Sequence, residues 1–138
     1  ATVSGNAVTL AGLTALTITA NSQTELKDAV SLNDLNGKHV RIRGRVIGSN
    51  SVIATRIELR SPDSDVDLQG PVQSINGIVL GILGISVDVA NINHFESVSG
   101  TSMSQVTFLA EVAANSLVKV KGVLNGPTVI WDEAELED

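Results

Sequence analysis

Along most of this chain apolar and polar side chains alternate one for one. The pattern is plainest in Leu16-Thr17-Ile18-Thr19-Ala20, Val40-Arg41-Ile42-Arg43-Gly44-Arg45-Val46, Ile85-Ser86-Val87-Asp88-Val89 and Val118-Lys119-Val120-Lys121-Gly122-Val123-Leu124. A period of two puts successive side chains on opposite faces of an extended strand, so these segments are predicted to be half-buried strands. Gly- and Asn-containing breaks at Gly5-Asn6, Gly48-Ser49-Asn50, Asn76-Gly77 and Asn125-Gly126-Pro127 supply the turns between them. Once one face is core, alternation fixes the other: Val40, Ile42, Val46, Val118, Val120 and Leu124 are predicted to be buried, and Arg41, Arg43, Arg45, Lys119 and Lys121 to point outward. Helical patterns are few and short. Ser31-Leu32-Asn33-Asp34-Leu35 predicts one capped turn, which residues 25–30 would extend upstream. Residues 108–114 predict its counterpart later in the chain.

The alternating segments recur. Residues 40–46 match residues 118–124 at a constant shift of 78 positions, and each copy is followed by a turn and an apolar strand start, Val52-Ile53 and Val129-Ile130. The two copies close on similar tails, Ile57-Glu58-Leu59-Arg60 and Ala134-Glu135-Leu136-Glu137. Upstream, Gly5-Asn6-Ala7-Val8-Thr9-Leu10 answers Asn76-Gly77-Ile78-Val79-Leu80, and residues 16–20 answer residues 85–89. The upstream register differs from the downstream one by about eight residues, which places an insertion in the second copy around residues 95–105. The expected domains are a first β unit over residues 1–62, an acidic linker over 63–67 and a second β unit over 68–138. Each reads as about five strands with one short helical turn before a final hairpin, the layout of a small OB-like barrel. The expected fold class is all-β, two tandem OB-like units.

A Val/Ile-rich hairpin with a turn Gly, a short helical turn, a Val-Lys-Val-Lys-Gly strand (118–122) and a closing Ala-Glu-Leu-Glu strand (134–137) together resemble a family of bacterial exported proteins known as domain of unknown function 5666. That family is similar to the bacterial OB-fold stress proteins. The resemblance covers both halves, about 60 residues each, and is the stronger in residues 117–137. The first copy lacks the Gly-Pro that follows the leading strand of the second at Gly70-Pro71. What the resemblance implies is an OB-like fold and an envelope or secreted location. Its motifs are structural and bring no catalytic residue with them.

Composition narrows the chemistry. Of 138 residues 43% are hydrophobic, enough for a core, yet only 2% are aromatic (Phe95, Phe108, Trp131), so burial must come from Val, Ile, Leu and Ala. No apolar run approaches the roughly 18 residues that cross a bilayer as a helix. There is no cysteine, which removes disulfides and thiolate chemistry. The start, Ala1-Thr2-Val3-Ser4, reads as a mature exported protein after removal of a signal peptide, so the expected location is extracellular or periplasmic. Net charge is −6, the wrong sign for holding nucleic acid through its phosphates. It is also uneven: residues 1–67 carry seven Lys/Arg and seven Asp/Glu, residues 68–138 two and eight.

Arg41, Arg43 and Arg45 form a ladder that can grip an acidic partner or simply guard a solvated strand edge. Asp63, Asp65 and Asp67 are spaced like the first ligands of a calcium loop, but Leu68 stands where the turn glycine belongs and Ser74 where the bidentate Glu belongs. An acidic linker accounts for them equally. His39 and His94 have no second metal ligand or nucleophile at a recognisable spacing. Trp131 fills a core poor in aromatics or stacks a sugar. Residues 132–138 read as a strand end and a solvated acidic tail.

No nucleophile, metal or cofactor signature is present, so the expected role is non-catalytic and without a cofactor. The first expectation is an exported structural protein that joins copies of itself, as a homo-oligomer or filament, or an envelope partner. It would do so through strand edges and charge, with residues 2–21 as a strand to lend. The alternative is an OB-fold binding module for an oligosaccharide or other oligomer.

Overall fold

The structure, a computed structural model, describes residues 1–29 and 31–137. The chain divides into two compact units, residues 1–64 and 65–138, each built on β-sheet. The division follows the β-rich pattern on either side of the Pro62 segment.

In the first unit the strands are β1 (Thr2–Ser4), β2 (Ala7–Thr9), β3 (Thr17–Thr19), β4 (Glu25–Lys27), β5 (His39–Gly48) and β6 (Ser51–Arg60), with a 3-10 turn at Leu32–Leu35 between β4 and β5. They lie in the order β1-β2-β3-β6-β4, and β5 lies along β6. Gly5, at φ 59°, supplies the left-handed residue that the tight β1–β2 turn needs. β5 covers one edge of β6 over its whole length, so β3 and β4, both parallel to β6, share the other edge. Val8, Ile18, Leu35, Ala54 and Ile57 are buried at the centre.

The second unit holds β7 (Asp65–Asn76), β8 (Val79–Ile82), β9 (Ile85–Asp88), β10 (His94–Glu96), β11 (Ser102–Met103), helix α1 (Gln105–Glu111), β12 (Leu117–Asn125) and β13 (Thr128–Glu137). Its sheet order is β11-β10-β13-β12-β7-β8-β9. The core gathers Val72, Leu80, Val87, Val118, Val120 and Ala134. The ring centroids of Phe95 and Phe108, also in the core, lie 4.9 Å apart.

Both hairpins carry the same irregularity. β5 and β6 slip register between Arg43 and Gly44, leaving Thr55 extra, and β12 and β13 slip between Lys121 and Gly122, leaving Asp132 extra. A bulge puts two residues opposite one and sharpens the twist of the pair. Parallel pairing on β6 and β13 also corresponds: Leu26 lies across from Ile57, and Phe95 across from Ala134.

Several expectations are corrected. Residues 25–27 are strand β4, not an extension of the helical turn, because the flanking charges of Leu26 leave it a period-two site beside Ile57. Val30, the end of that proposed extension, lies outside the described residues. The second helix is Gln105–Glu111 rather than 108–114: the Ser104 Oγ accepts from the Thr107 amide at 3.1 Å and starts it earlier. In both units the fourth residue after a serine, Leu35 after Ser31 and Phe108 after Ser104, is fully buried. The extra residues of the second copy lie after Glu96, since Phe95 is in β10, and they include β11, which has no counterpart among the strands of the first unit. The acidic linker is shorter than 63–67, because Asp65 and Asp67 already belong to β7.

Burial on β5 also departs from expectation. Val118 and Val120 are completely buried and Leu124 is half-buried, but Val40 and Ile42 are only half-buried and Val46 is 44% exposed. The faces are as alternation requires, since Ile42 lies across from buried Ile57 and Val46 across from buried Val52. The difference is in the neighbours. β12 lies between β13 and β7, whereas among the described residues β5 has β6 alone.

Candidate interaction surface

The outward face of the first hairpin is positive because of its register. Arg41 lies across from Glu58, Arg43 from Arg56 and Arg45 from Ile53, so the middle rung sets two guanidinium groups opposite each other. All three ladder residues are exposed. The Glu58 side chain, 15% exposed, is shared by Arg56 at 3.0 Å, Arg60 at 3.8 Å and Lys27 at 3.9 Å. The Nε of Arg56 is buried without a hydrogen-bond partner, a polar group left unmatched at the centre of the face. Like charges directly across a strand pair repel, so the Arg43–Arg56 rung is unfavourable by itself and Glu58 offsets it from one side.

The corresponding face of the second hairpin has the opposite balance. Lys121 lies 3.4 Å from Glu135 and 3.6 Å from Glu133, and His94 Nε2 is 2.9 Å from Glu96 and 3.8 Å from Glu133. Burial alone would lower the Lys121 pKa, but Glu135 and Glu133 outweigh it and the net shift is upward. His94 is raised above the ordinary histidine value, first by its hydrogen bond to Glu96 and then by the charges of Glu133, Glu96 and Glu135. A raised folded pKa contributes stability that is complete below the ordinary value of about 6.5 and is lost as pH rises through the raised value. A proton NMR titration of the His94 ring should therefore show a midpoint above about 6.5, and Glu96→Gln should bring it down. A midpoint unmoved by that substitution would show that the hydrogen bond does not set it.

The other predicted residues are dispersed. Asp63 lies 3.3 Å from His39 Nε2, Asp65 is across from Val123, and Asp67 is across from Lys121. The three carboxylates of the calcium expectation therefore have separate neighbours along an extended chain. Trp131 is buried on β13, with 8% of its surface exposed. Much of the segment expected to lend a strand, residues 2–21, already pairs within its own unit as β1, β2 and β3. Of the acidic stretch 132–138, residues 132–137 belong to β13, with Glu133 and Glu135 held by Lys121. Asp138 lies outside the described residues.

The alternating pattern showed the ladder but not what surrounds it. Glu58 and Glu135 are sequence-equivalent through the closing tails, and that match was the available signal for both charge networks; Lys27, Arg56 and His94 join them only through strand register. Redrawn at the structural boundary, the charge split is sharper. Residues 1–64 carry seven Lys/Arg and five Asp/Glu, net +2, while residues 65–138 carry two and ten, net −8.

With this geometry in hand, comparison with known proteins adds one likeness. The family described as "Domain of unknown function (DUF5666)" matches residues 1–58. The match falls on the first unit, and residues 117–137, where the sequence resemblance is the stronger, lie outside it. No curated protein matches the chain, and no solved structure matches it.

Proposed function

We propose that this chain is a non-catalytic, exported assembly protein, two tandem copies of one OB-like unit, that associates with copies of itself or an envelope partner through strand edges and charge. The observation that carries this reading is the contrast between the hairpins. They share bulge position and parallel neighbours and are of similar strand length, yet one is covered by a further strand, while among the described residues the ten-residue strand of the other has no second neighbour beside its exposed arginine ladder. A long open edge is a template for pairing with another chain. The charges of the two units, +2 and −8, favour head-to-tail contact between molecules. A head-to-tail contact that does not close into a ring makes a filament. The exported setting follows the family resemblance, and the OB-like description follows the strand–turn–strand–helical turn–hairpin order common to both units.

The test is mass against concentration by light scattering, at low salt and at about 0.5 M. Screening lengths fall below about 8 Å above physiological salt, so assemblies should grow with concentration at low salt and shrink when salt is added. A monomer at every concentration and salt would overturn self-assembly.

A further inference from the structure

We infer that β10 is fastened to β13 by a proton-dependent clasp, the His94 imidazolium held between Glu96 and Glu133, and that the β10–β11 segment loosens locally when His94 loses its proton. The clasp belongs to the second unit alone and stands apart from the assembly reading.

The equivalent rungs of the two units show why. In the first unit the short parallel strand β4 meets β6 with Glu25 across from Arg56 and Lys27 across from Glu58, on either side of Leu26 across from Ile57. Both charged rungs join opposite signs, and their residue types do not titrate near neutral pH. In the second unit β10 meets β13 in the same register, with His94 across from Glu133, Phe95 across from Ala134 and Glu96 across from Glu135. The first of these rungs attracts only while the imidazole is protonated. The last sets carboxylate against carboxylate, which repel across a strand pair.

The surrounding charges leave His94 little competition for its place. Its Nε2 lies 2.9 Å from Glu96 on its own strand and 3.8 Å from Glu133 on β13. From β12 comes Lys121, 3.6 Å from Glu133 and 3.4 Å from Glu135, and from β7 comes Asp67, across from Lys121. β11 adds only Ser102 and Met103, and α1, packed on Phe95 through Phe108, carries a single charge, Glu111. Four carboxylates, Glu96, Glu133, Glu135 and Asp67, are thus matched by one lysine and one histidine. Without the histidine's charge, Lys121 alone is set against all four.

The direction with pH follows. The hydrogen bond to Glu96, reduced by partial desolvation and reinforced by Glu133, Glu96 and Glu135, holds His94 above its ordinary value. The clasp is therefore complete below about pH 6.5 and is lost as pH rises through the raised value. Lys121 is raised as well and keeps its charge over that range. Because the His94 side chain is 39% exposed, water weakens the clasp, and buried Phe95 packed on Phe108 keeps β10 in place after the proton has gone. The consequence is more frequent local opening, not unfolding of the unit. Each opening bares the main chain of β13 where β10 covers it, at residues 133–135.

The test is amide hydrogen exchange on the full chain from about pH 5.5 to about pH 9, read as protection after correction for the intrinsic pH dependence of exchange. The protected amides of residues 94–96 and 102–103 are expected to lose protection several-fold across that range, while those of residues 25–27 hold theirs. His39, the other histidine, lies in the first unit, so the two sets of amides separate its titration from that of His94. His94→Lys should keep protection high at every pH, and His94→Gln should keep it low at every pH. Both replace an exposed side chain and are expected to fold. Protection that stays level in the unaltered chain would overturn the inference. So would a fall with pH that survives in either variant, since another group would then be titrating.

Discussion

Val120→Asp is expected to unfold the second unit, and Ile42→Asp, at the matching position of the first, to leave that unit folded. Val120 has no exposed surface and lies across from Leu68 on one side and Ala134 on the other, both buried. A carboxylate there, set between buried Leu68 and Ala134, must either ionise in an apolar site or take up a proton, at a cost of about 4 kcal/mol or more. That is comparable to the whole stability of a small domain, about 5–15 kcal/mol. Ile42 is already half in water and, among the described residues, has a neighbouring strand only at β6, so its replacement loses about 1–2 kcal/mol of apolar burial and leaves the charge a route to solvent. Amide spectra recorded through a urea titration read the units separately, because each amide reports on the unit that holds it. Equal loss at both sites would mean that β5 is as enclosed as β12, and the open-edge account would fail.

How much of this was legible in the sequence depends on how far apart the deciding residues are. The hairpins were legible because alternation, turn residues and the 78-residue shift are all local or repeated signals, and they assign the faces of Arg41, Arg43 and Arg45 correctly. Burial was not legible on β5, since it depends on a covering strand, a pairing between distant segments that no local period records. Identical patterns at Ile42 and Val120 therefore end in different environments. Three-residue strands were also hidden: Glu25-Leu26-Lys27 is too short for a period of two to be told from a helical turn. The same holds for Asp65 and Asp67, whose acidic spacing resembles a linker or an ion loop until β12 is placed opposite them. The ladder was visible as a row of charges, but its setting was not. That Arg43 faces Arg56 while Lys121 faces Glu133 is a matter of register and of the bulge that shifts it.

The bulge glycines give the second large effect. Gly122→Ala should destabilise the second unit by about 2–3 kcal/mol, and Gly44→Ala the first by about 1 kcal/mol. A Cβ at Gly122 would run into the Ile130 carbonyl oxygen, and would meet Val129 Cγ1 at 2.9 Å and the Ile130 carbonyl carbon at 3.0 Å. A Cβ at Gly44 would meet Val52 Cγ1, too close for contact, and the Ile53 oxygen at 2.8 Å. The local clashes are alike, so the glycines alone predict similar penalties. The strands differ in their freedom to move. β12 has hydrogen-bonded neighbours on both sides near Gly122, across from Val66 on β7 and Trp131 on β13, so any shift that relieves one contact strains another. Among the described residues β5 has a strand neighbour only at β6, and it can move outward as an edge. Urea midpoints read unit by unit would show the ordering.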